Sequence, residues 1–350
     1  MKKSFYLMLL SAGLFLTACD KEEVIESADY KDELNNIGNN VIIPTYKNLA
    51  DAGVVLQTAI QKLQSDPSAA NLTAARKAWV DMRVFWEQAE GFLFGPVDQE
   101  GIDPSIDSWP VNVVDLNSVL ASSDALTVAY LNSQEGTLKG FHTIEFLLWG
   151  ENGDKTVDQL SARQFEYLTA CAGALAADTK KLFDLWDPST GNFIANLTKA
   201  GAGSLLYVSE KAALEEVANA LVVIADEVGN GKINDPFAAS DVTLEESRFS
   251  ANSKSDFSDN IRSIKNIYTG TYGTTGNGTS LTTIVKAKNE ALDTKIKTQI
   301  DAAINAILAI DGTFTQAITS SRPSIAAAQT AVRDLQETLE SELVPLISNL

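Results

Sequence analysis

Histidine is nearly absent: His142 is the single one in 350 residues. The two imidazoles of a HExxH zinc peptidase therefore cannot be assembled. Zinc held by one histidine and several carboxylates is chemically allowed but atypical. Cysteine is scarce too, with only Cys19 and Cys171, so no disulfide framework exists. Basic residues are outnumbered, 27 Lys and Arg against 46 Asp and Glu, for a net charge of −19. Such a surface repels phosphate and excludes nucleic acid as a partner. Nine prolines and few alternating β-branched runs point away from an all-β fold. At 45% hydrophobic residues the chain is nonetheless globular, with length for two domains.

The apolar run Phe5–Leu16 is too short to span a bilayer stably, and Lys2 and Lys3 precede it. Residues 1–18 read as a cleaved signal peptide. Leu16-Thr17-Ala18-Cys19 resembles a bacterial lipobox, which makes Cys19 the lipidated N-terminus of the mature chain. Residues 19–28 then form an acidic tether. Its start, Asp20-Lys21-Glu22-Glu23, resembles the export signal of Bacteroidetes surface lipoproteins. The expected location is the outer membrane of a Gram-negative, Bacteroidetes-like bacterium, with a lean toward surface exposure. Cys171 sits alone at a core-like position and reads as a small hydrophobe.

From Asp29 on, the apolar period is near 3.6. Leu34, Ile37, Val41, Leu49, Leu56, Ile60 and Leu63 mark a helix to about Ser65, and Pro44 predicts a kink or break near Asn40. A second helix, about Ser68–Leu93, carries Trp79, Met82 and Trp86 inward. Residues 95–112, rich in Gly, Pro and Asp, read as a long irregular loop. Short helices near Val113–Ala121 and Ala125–Ser133, the helix carrying His142, and a long one over Ser161–Trp186 follow. Beyond a boundary at 187–203 the pattern restarts. A helix marked by Leu214, Val217, Leu221, Ile224 and Val228 is expected to stop at Gly229-Asn230-Gly231. A helix from about Ser255 to Tyr268 follows, with Ser255 as its cap, and then two long helices ending with Leu339 and Leu343. The predicted fold is all-α, two tandem four-helix-bundle-like domains at 29–190 and 191–350, readable as a duplication although no residue-level repeat is visible.

Within this pattern Gly140-Phe141-His142-Thr143-Ile144-Glu145 stands out. His142 and Glu145, three apart, share one face of an apolar helix, where they must be hydrogen-bonded, solvated or ligated. They are either a satisfied core pair or part of a metal or substrate site. Arg83, Glu87 and Glu90 recur along one flank of the second helix, interleaved with Phe85, Trp86 and Phe92. They are either a solvated salt-bridged face or part of the same site. Further on, Arg248 between Ser247 and Ser250 can hold an anion or carboxylate. Ser253, Ser255 and Asp256 read equally well as the start of a helix.

These motifs resemble the imelysin-like family. Gly140-x-His142-x-x-Glu145 is similar to its GxHxxE motif. Phe85-Trp86-Glu87, Glu90, Phe94-Gly95-Pro96 and Trp109-Pro110 resemble its second-helix and loop signature. Glu246-Ser247-x-Phe249-Ser250, Asp256-Phe257, Asn260-Ile261 and Tyr268-x-Gly270 resemble its second-half signature. The resemblance implies two helical bundles with a polar site where they meet, in iron-regulated envelope proteins once classed as metallopeptidases. His142, Glu145, Glu87 and Glu90 form an oxygen-rich, nitrogen-poor ligand set that suits iron or another divalent cation. Haem fits less well, because a second axial ligand is missing. Arg83, Trp86, Ser247, Arg248, Ser250 and Asp256 complete the expected cleft. The leading expectation is a lipid-anchored protein binding iron or an iron-containing ligand, working with an iron-uptake complex. The alternatives are a hydrolase or peptidase using His142 and Glu145, and a structural or adhesion lipoprotein. A Ser-His-acid triad with Ser247 or Ser250 has no nucleophile-elbow pattern behind it.

Overall fold

The structure is a computed structural model that describes residues 29–350. The signal peptide, Cys19 and the tether lie outside the described residues. Among the described residues no strand forms, and an isolated bridge joins Tyr272 to Thr275.

Eight principal helices account for the framework: α1 Ile43–Ser65, α2 Ala69–Glu87, α3 Gly140–Trp149, α4 Ala162–Trp186, α5 Glu210–Asp226, α6 Ser253–Thr269, α7 Glu290–Leu308 and α8 Arg322–Thr338. In the first half, α1 packs on α2 and α4, and α3 packs on both α2 and α4. In the second half, α7 packs on α6 and α8, and α5 packs on both α6 and α8. The two groups share one continuous apolar core running from Leu34 to Ile347, with α2 lying against α6 at their meeting place.

Local chemistry sets several of these boundaries. Ser68 accepts a hydrogen bond from the Asn71 amide and caps α2, and Ser161 with Gln164 forms a capping box on α4. The break expected near Asn40 is a wider π-helical turn, Ile37–Ile42, which places Pro44 in the first turn of α1, where its missing N–H costs nothing.

Four expectations are corrected. The second helix ends at Glu87, and Glu90 follows in a separate 3₁₀ turn, Glu90–Phe92. Gly91 in that turn packs on α6, since an added Cβ would lie 2.6 Å from Ser263 Oγ. The loop expected at 95–112 holds two short helices, Pro96–Gln99 and Asp103–Ile106. Asn252, not Ser255, precedes α6. Finally, Gly229-Asn230-Gly231 does not stop α5. Neither glycine adopts the positive φ of a helix C-cap, and the chain winds on through a π-helical turn, Glu227–Lys232. Packing against α8 overrides the local stop signal, with Gln329 Nε2 donating to the Gly229 carbonyl at 3.0 Å.

Candidate functional site

A dense group of charged side chains lies where α2, α3 and α6 converge, closed off from solvent rather than lining an open cleft. Arg83, Glu87, His142 and Glu145 have no exposed surface, and Glu90, Asp107, Lys232, Glu246 and Asp256 are buried as well. Burying so many charges is tolerable only if they compensate one another.

Arg83, one turn before Glu87 at the end of α2, is the hub. Its guanidinium pairs with Glu87 and Asp107, donates to Glu246 at 3.0 Å and reaches Asp256 at 3.4 Å. Lys232 is the second cation. Its ammonium lies 2.8 Å from Glu90, 3.0 Å from Glu246 and 3.3 Å from Glu87. The π-helical turn after α5 delivers it. Asn260 of α6 adds a neutral donor, bonding Glu87 Oε2 at 2.6 Å and also Glu90.

His142 stands between two acids. Its Nδ1 is 3.0 Å from Glu145 Oε2, while Nε2 lies 3.1 Å from Asp107 Oδ1 without the alignment of a hydrogen bond. Glu145 is fixed from its other side, where Oε1 accepts from the Ser250 amide and hydroxyl, each at 2.7 Å. Asp107 is fixed by the Trp86 indole N–H, which donates to Oδ2 at 2.6 Å. Gly140 makes this approach possible. Its φ is +72°, and a Cβ there would sit 2.4 Å from the Ile106 carbonyl oxygen. With only hydrogen at that position, the first turn of α3 touches the chain just before Asp107, and the His142 ring meets the carboxylate. Trp109 covers the group: its ring is 6.1 Å from the His142 ring and 5.5 Å from the Lys232 ammonium.

Titration follows from burial and pairing. Burial disfavours the charged His142 ring, but the two acids beside it, Asp107 and Glu145, outweigh that and raise its pKa to about 9. Burial also pushes on Asp107, yet Arg83 and His142 hold its carboxyl well below the usual range. Glu246 moves the other way, raised by burial with Glu87 and Asp107 adding repulsion, to about 8. Asp256 is raised by burial to about 7, and Glu90 is pushed well above its ordinary value for the same reason.

Of the residues expected in one site, Arg83, Trp86, Glu87, Glu90, His142, Glu145, Ser250 and Asp256 come together. Ser247 is buried beside them with its hydroxyl unpartnered. Arg248 does not join them. It stacks on Phe249 and pairs with Glu151 at 2.8 Å, at the surface. The expected ligand set is rearranged as well. Glu145 is engaged by His142 and Ser250, and Glu87 and Glu90 are engaged by Lys232 and Asn260. Among the described residues the side chains placed to share a cation are Asp107, His142 and Glu246, whose ligand atoms lie within 4.8 Å of one another. Among the described residues no serine hydroxyl bonds to His142; Ser250 donates to Glu145 instead. The arrangement is not a Ser-His-acid triad.

Three participants escaped sequence reasoning. Asp107 sits in a loop among other acids, two residues before Trp109-Pro110, and that neighbour was its one signal. Lys232 looked like a residue past a helix stop. Glu246 opens the second-half signature, and that place in the pattern was its one signal.

Comparison with known proteins gives the family. Residues 42–341 match the family model described as Imelysin. The chain belongs to the imelysin family. It is 31% identical over 313 residues to "Iron-regulated protein A" of Synechococcus elongatus, covering 88% of this chain and 84% of the relative. A crystal structure from Parabacteroides distasonis, described as an iron-regulated protein A precursor, superposes with a TM-score of 0.82 at 27% identity, covering 93% of this chain and 96% of the other. An imelysin-like protein from Psychrobacter arcticum matches with a TM-score of 0.75 over 91% and 95% of the two chains, and at 18% identity it shows the shared fold. In this imelysin the run Gly140-x-His142-x-x-Glu145 is explained residue by residue. Gly140 permits the close approach, His142 faces Asp107, and Glu145 orients the ring from behind.

Proposed function

We propose that this imelysin is an envelope-anchored lipoprotein that binds iron, or an iron-containing ligand, at the Asp107, His142 and Glu246 group, and acts in iron acquisition. The observation that carries this reading is the convergence of three donor side chains in a dry site where two donor atoms, His142 Nε2 and Glu246 Oε2, have no hydrogen-bond partner. Buried polar atoms are rarely left so, and two within one such group argue for a ligand.

The charge balance supports the same reading. Glu87, Glu90, Asp107, Glu145, Glu246 and Asp256 outnumber Arg83, Lys232 and a protonated His142. Burial raises Glu90, Glu246 and Asp256, so near neutral pH much of this surplus is held as protons, and a bound cation would displace them. One imidazole among carboxylates suits iron and related cations better than structural zinc, which prefers Cys and His. The relatives described as iron-regulated favour iron among these. Haem fits less well, because a single imidazole provides one axial position.

The protein's own residues do the rest. Ser250 holds Glu145, and Glu145 accepts from His142 Nδ1, which fixes the ring and turns Nε2 toward Asp107 and Glu246. This is the carboxylate–histidine support that metal-binding imidazoles commonly have. Arg83 and Lys232 keep the carboxylates gathered before any ligand arrives. Anchoring rests on the lipobox ending at Cys19, and an uptake complex in the envelope would receive the cargo.

The test is calorimetric titration of the purified protein with Fe²⁺, chelated Fe³⁺, Zn²⁺ and haem, beside His142→Ala and Asp107→Asn. One-to-one binding of iron that both substitutions weaken at least a hundredfold is expected. Binding unchanged by either substitution returns the group to a purely structural role.

A further inference from the structure

The two most exposed large apolar side chains among the described residues are neighbours. Leu205 is 95% exposed and Val208 is 90% exposed, with Leu206 half exposed between them. They form the tip of the segment joining the short helix Ala195–Thr198 to α5. This tip is built rather than slack. The Lys199 carbonyl accepts from the Ala202 and Ser204 amides, and Gly201 N–H donates to the Tyr207 carbonyl at 3.1 Å. Ser204 Oγ accepts from the amides of Leu206 and Tyr207, while Asn196 Oδ1 accepts from Leu205 N–H. Tyr207 and Leu206 turn back over a pocket of about 320 Å³ with Phe94 and Phe193. An ordered loop therefore holds a leucine and a valine in water, where each forfeits the stabilisation of burial.

The position of the tip names what covers it. The described chain begins at Asp29 beside the same loop: Tyr30 N–H donates to Glu210 Oε2 at 2.6 Å, and Lys31 lies 3.6 Å from the same carboxylate. Glu210 is two residues past Val208. Nine residues separate Asp29 from Cys19, a reach of at most about 35 Å even when fully extended. Whatever holds Cys19 is thereby held to this end of the molecule.

We propose that the Leu205–Val208 tip is a membrane-contact element that inserts into the bilayer carrying the lipid on Cys19 and fixes the orientation of the protein on it. This rests on the lipoprotein reading above. The charges beside the tip, Lys31 and Lys199 against Asp29 and Glu210, are mixed, so the contact is apolar rather than a response to anionic lipid. Interfacial docking by a few aliphatic side chains is weak alone and effective as a second attachment beside an acyl anchor.

The test uses the full lipidated protein on phosphatidylethanolamine–phosphatidylglycerol vesicles, with an environment-sensitive NBD label on Leu205→Cys, on Val208→Cys or, as a control, on Val114→Cys. Cys171 is fully buried and does not compete for label. Expected are blue-shifted emission and quenching by brominated lipid at 205 and 208, with neither at 114. Leu205→Ser with Val208→Ser should weaken the added attachment about tenfold per side chain. Protein that floats with vesicles while the 205 and 208 labels stay in water overturns the insertion and leaves the anchor standing, and the tip then faces a protein partner. Protein that does not float overturns both.

Discussion

Replacing Lys232 with methionine tests how the buried charges hold one another. The substitution keeps the length and apolar stem of the side chain but removes an ammonium lying within 3.3 Å of Glu87, Glu90 and Glu246. Breaking a buried pair from one side leaves uncompensated charge and costs about 3–5 kcal/mol. Here three carboxylates lose the partner together, so the loss should fall at the upper end of that range. Protonation is their alternative. Lys232 holds the Glu90 and Glu246 values down against burial, and without it both rise further. The folded variant then binds more protons than the unfolded chain, so its stability falls as pH climbs above the ordinary glutamate range. Urea denaturation at pH 5 and pH 8 should show a modest loss at pH 5 and the full loss at pH 8. A change under about 1 kcal/mol at both pH values would refute the picture of Lys232 as the counterion of these acids.

The intact protein without added cation should show a weaker trend of the same sign. Glu246 raised to about 8, Asp256 to about 7 and His142 to about 9 all bind protons more tightly folded than unfolded. Their contribution is greatest at low pH and is lost as pH rises toward 9, which a series of thermal melts from pH 5 to 9 would follow. Gly140→Ala should cost about 2 kcal/mol or more, because it combines a φ of +72° with a backbone collision at Ile106, and iron binding should fall with it. Trp86→Phe removes the donor to Asp107 Oδ2 together with part of a buried ring, and should destabilise by about 1–3 kcal/mol in chemical denaturation.

How much of this was legible in the sequence follows from the range of the forces involved. The helices announced themselves through period: Leu168, Cys171, Leu175, Leu182 and Trp186 on α4, and Leu214, Val217, Leu221, Ile224 and Val228 on α5 through its π-helical turn, are all buried as their spacing predicts. The helix starts expected at Ser68 and Ser161 fall where those side chains cap α2 and α4. Gly229-Asn230-Gly231 misled because Gly229 serves packing against α8 rather than a turn, and that contact is distant in sequence. The same distance hid the site's composition. His142 and Glu145 are neighbours on one turn of helix and could be paired by spacing. Asp107 reaches His142 only because Gly140 lets two segments touch, and Lys232 reaches Glu87 across the meeting place of the two halves. The serines on either side of Arg248 suggested an anion cradle in the site, whereas its stem stacks on Phe249 and its head finds Glu151 at the surface.

Among all these tests the location of the ion decides most. Crystals of the protein equilibrated with Fe²⁺ and measured on both sides of the iron absorption edge would show where iron sits. A single anomalous peak within coordination distance of His142 Nε2 and carboxylate oxygens of Asp107 and Glu246 is predicted, absent from His142→Ala crystals prepared alongside. Peaks confined to surface carboxylates, with the Asp107, His142 and Glu246 group unchanged, would contradict a cation site there.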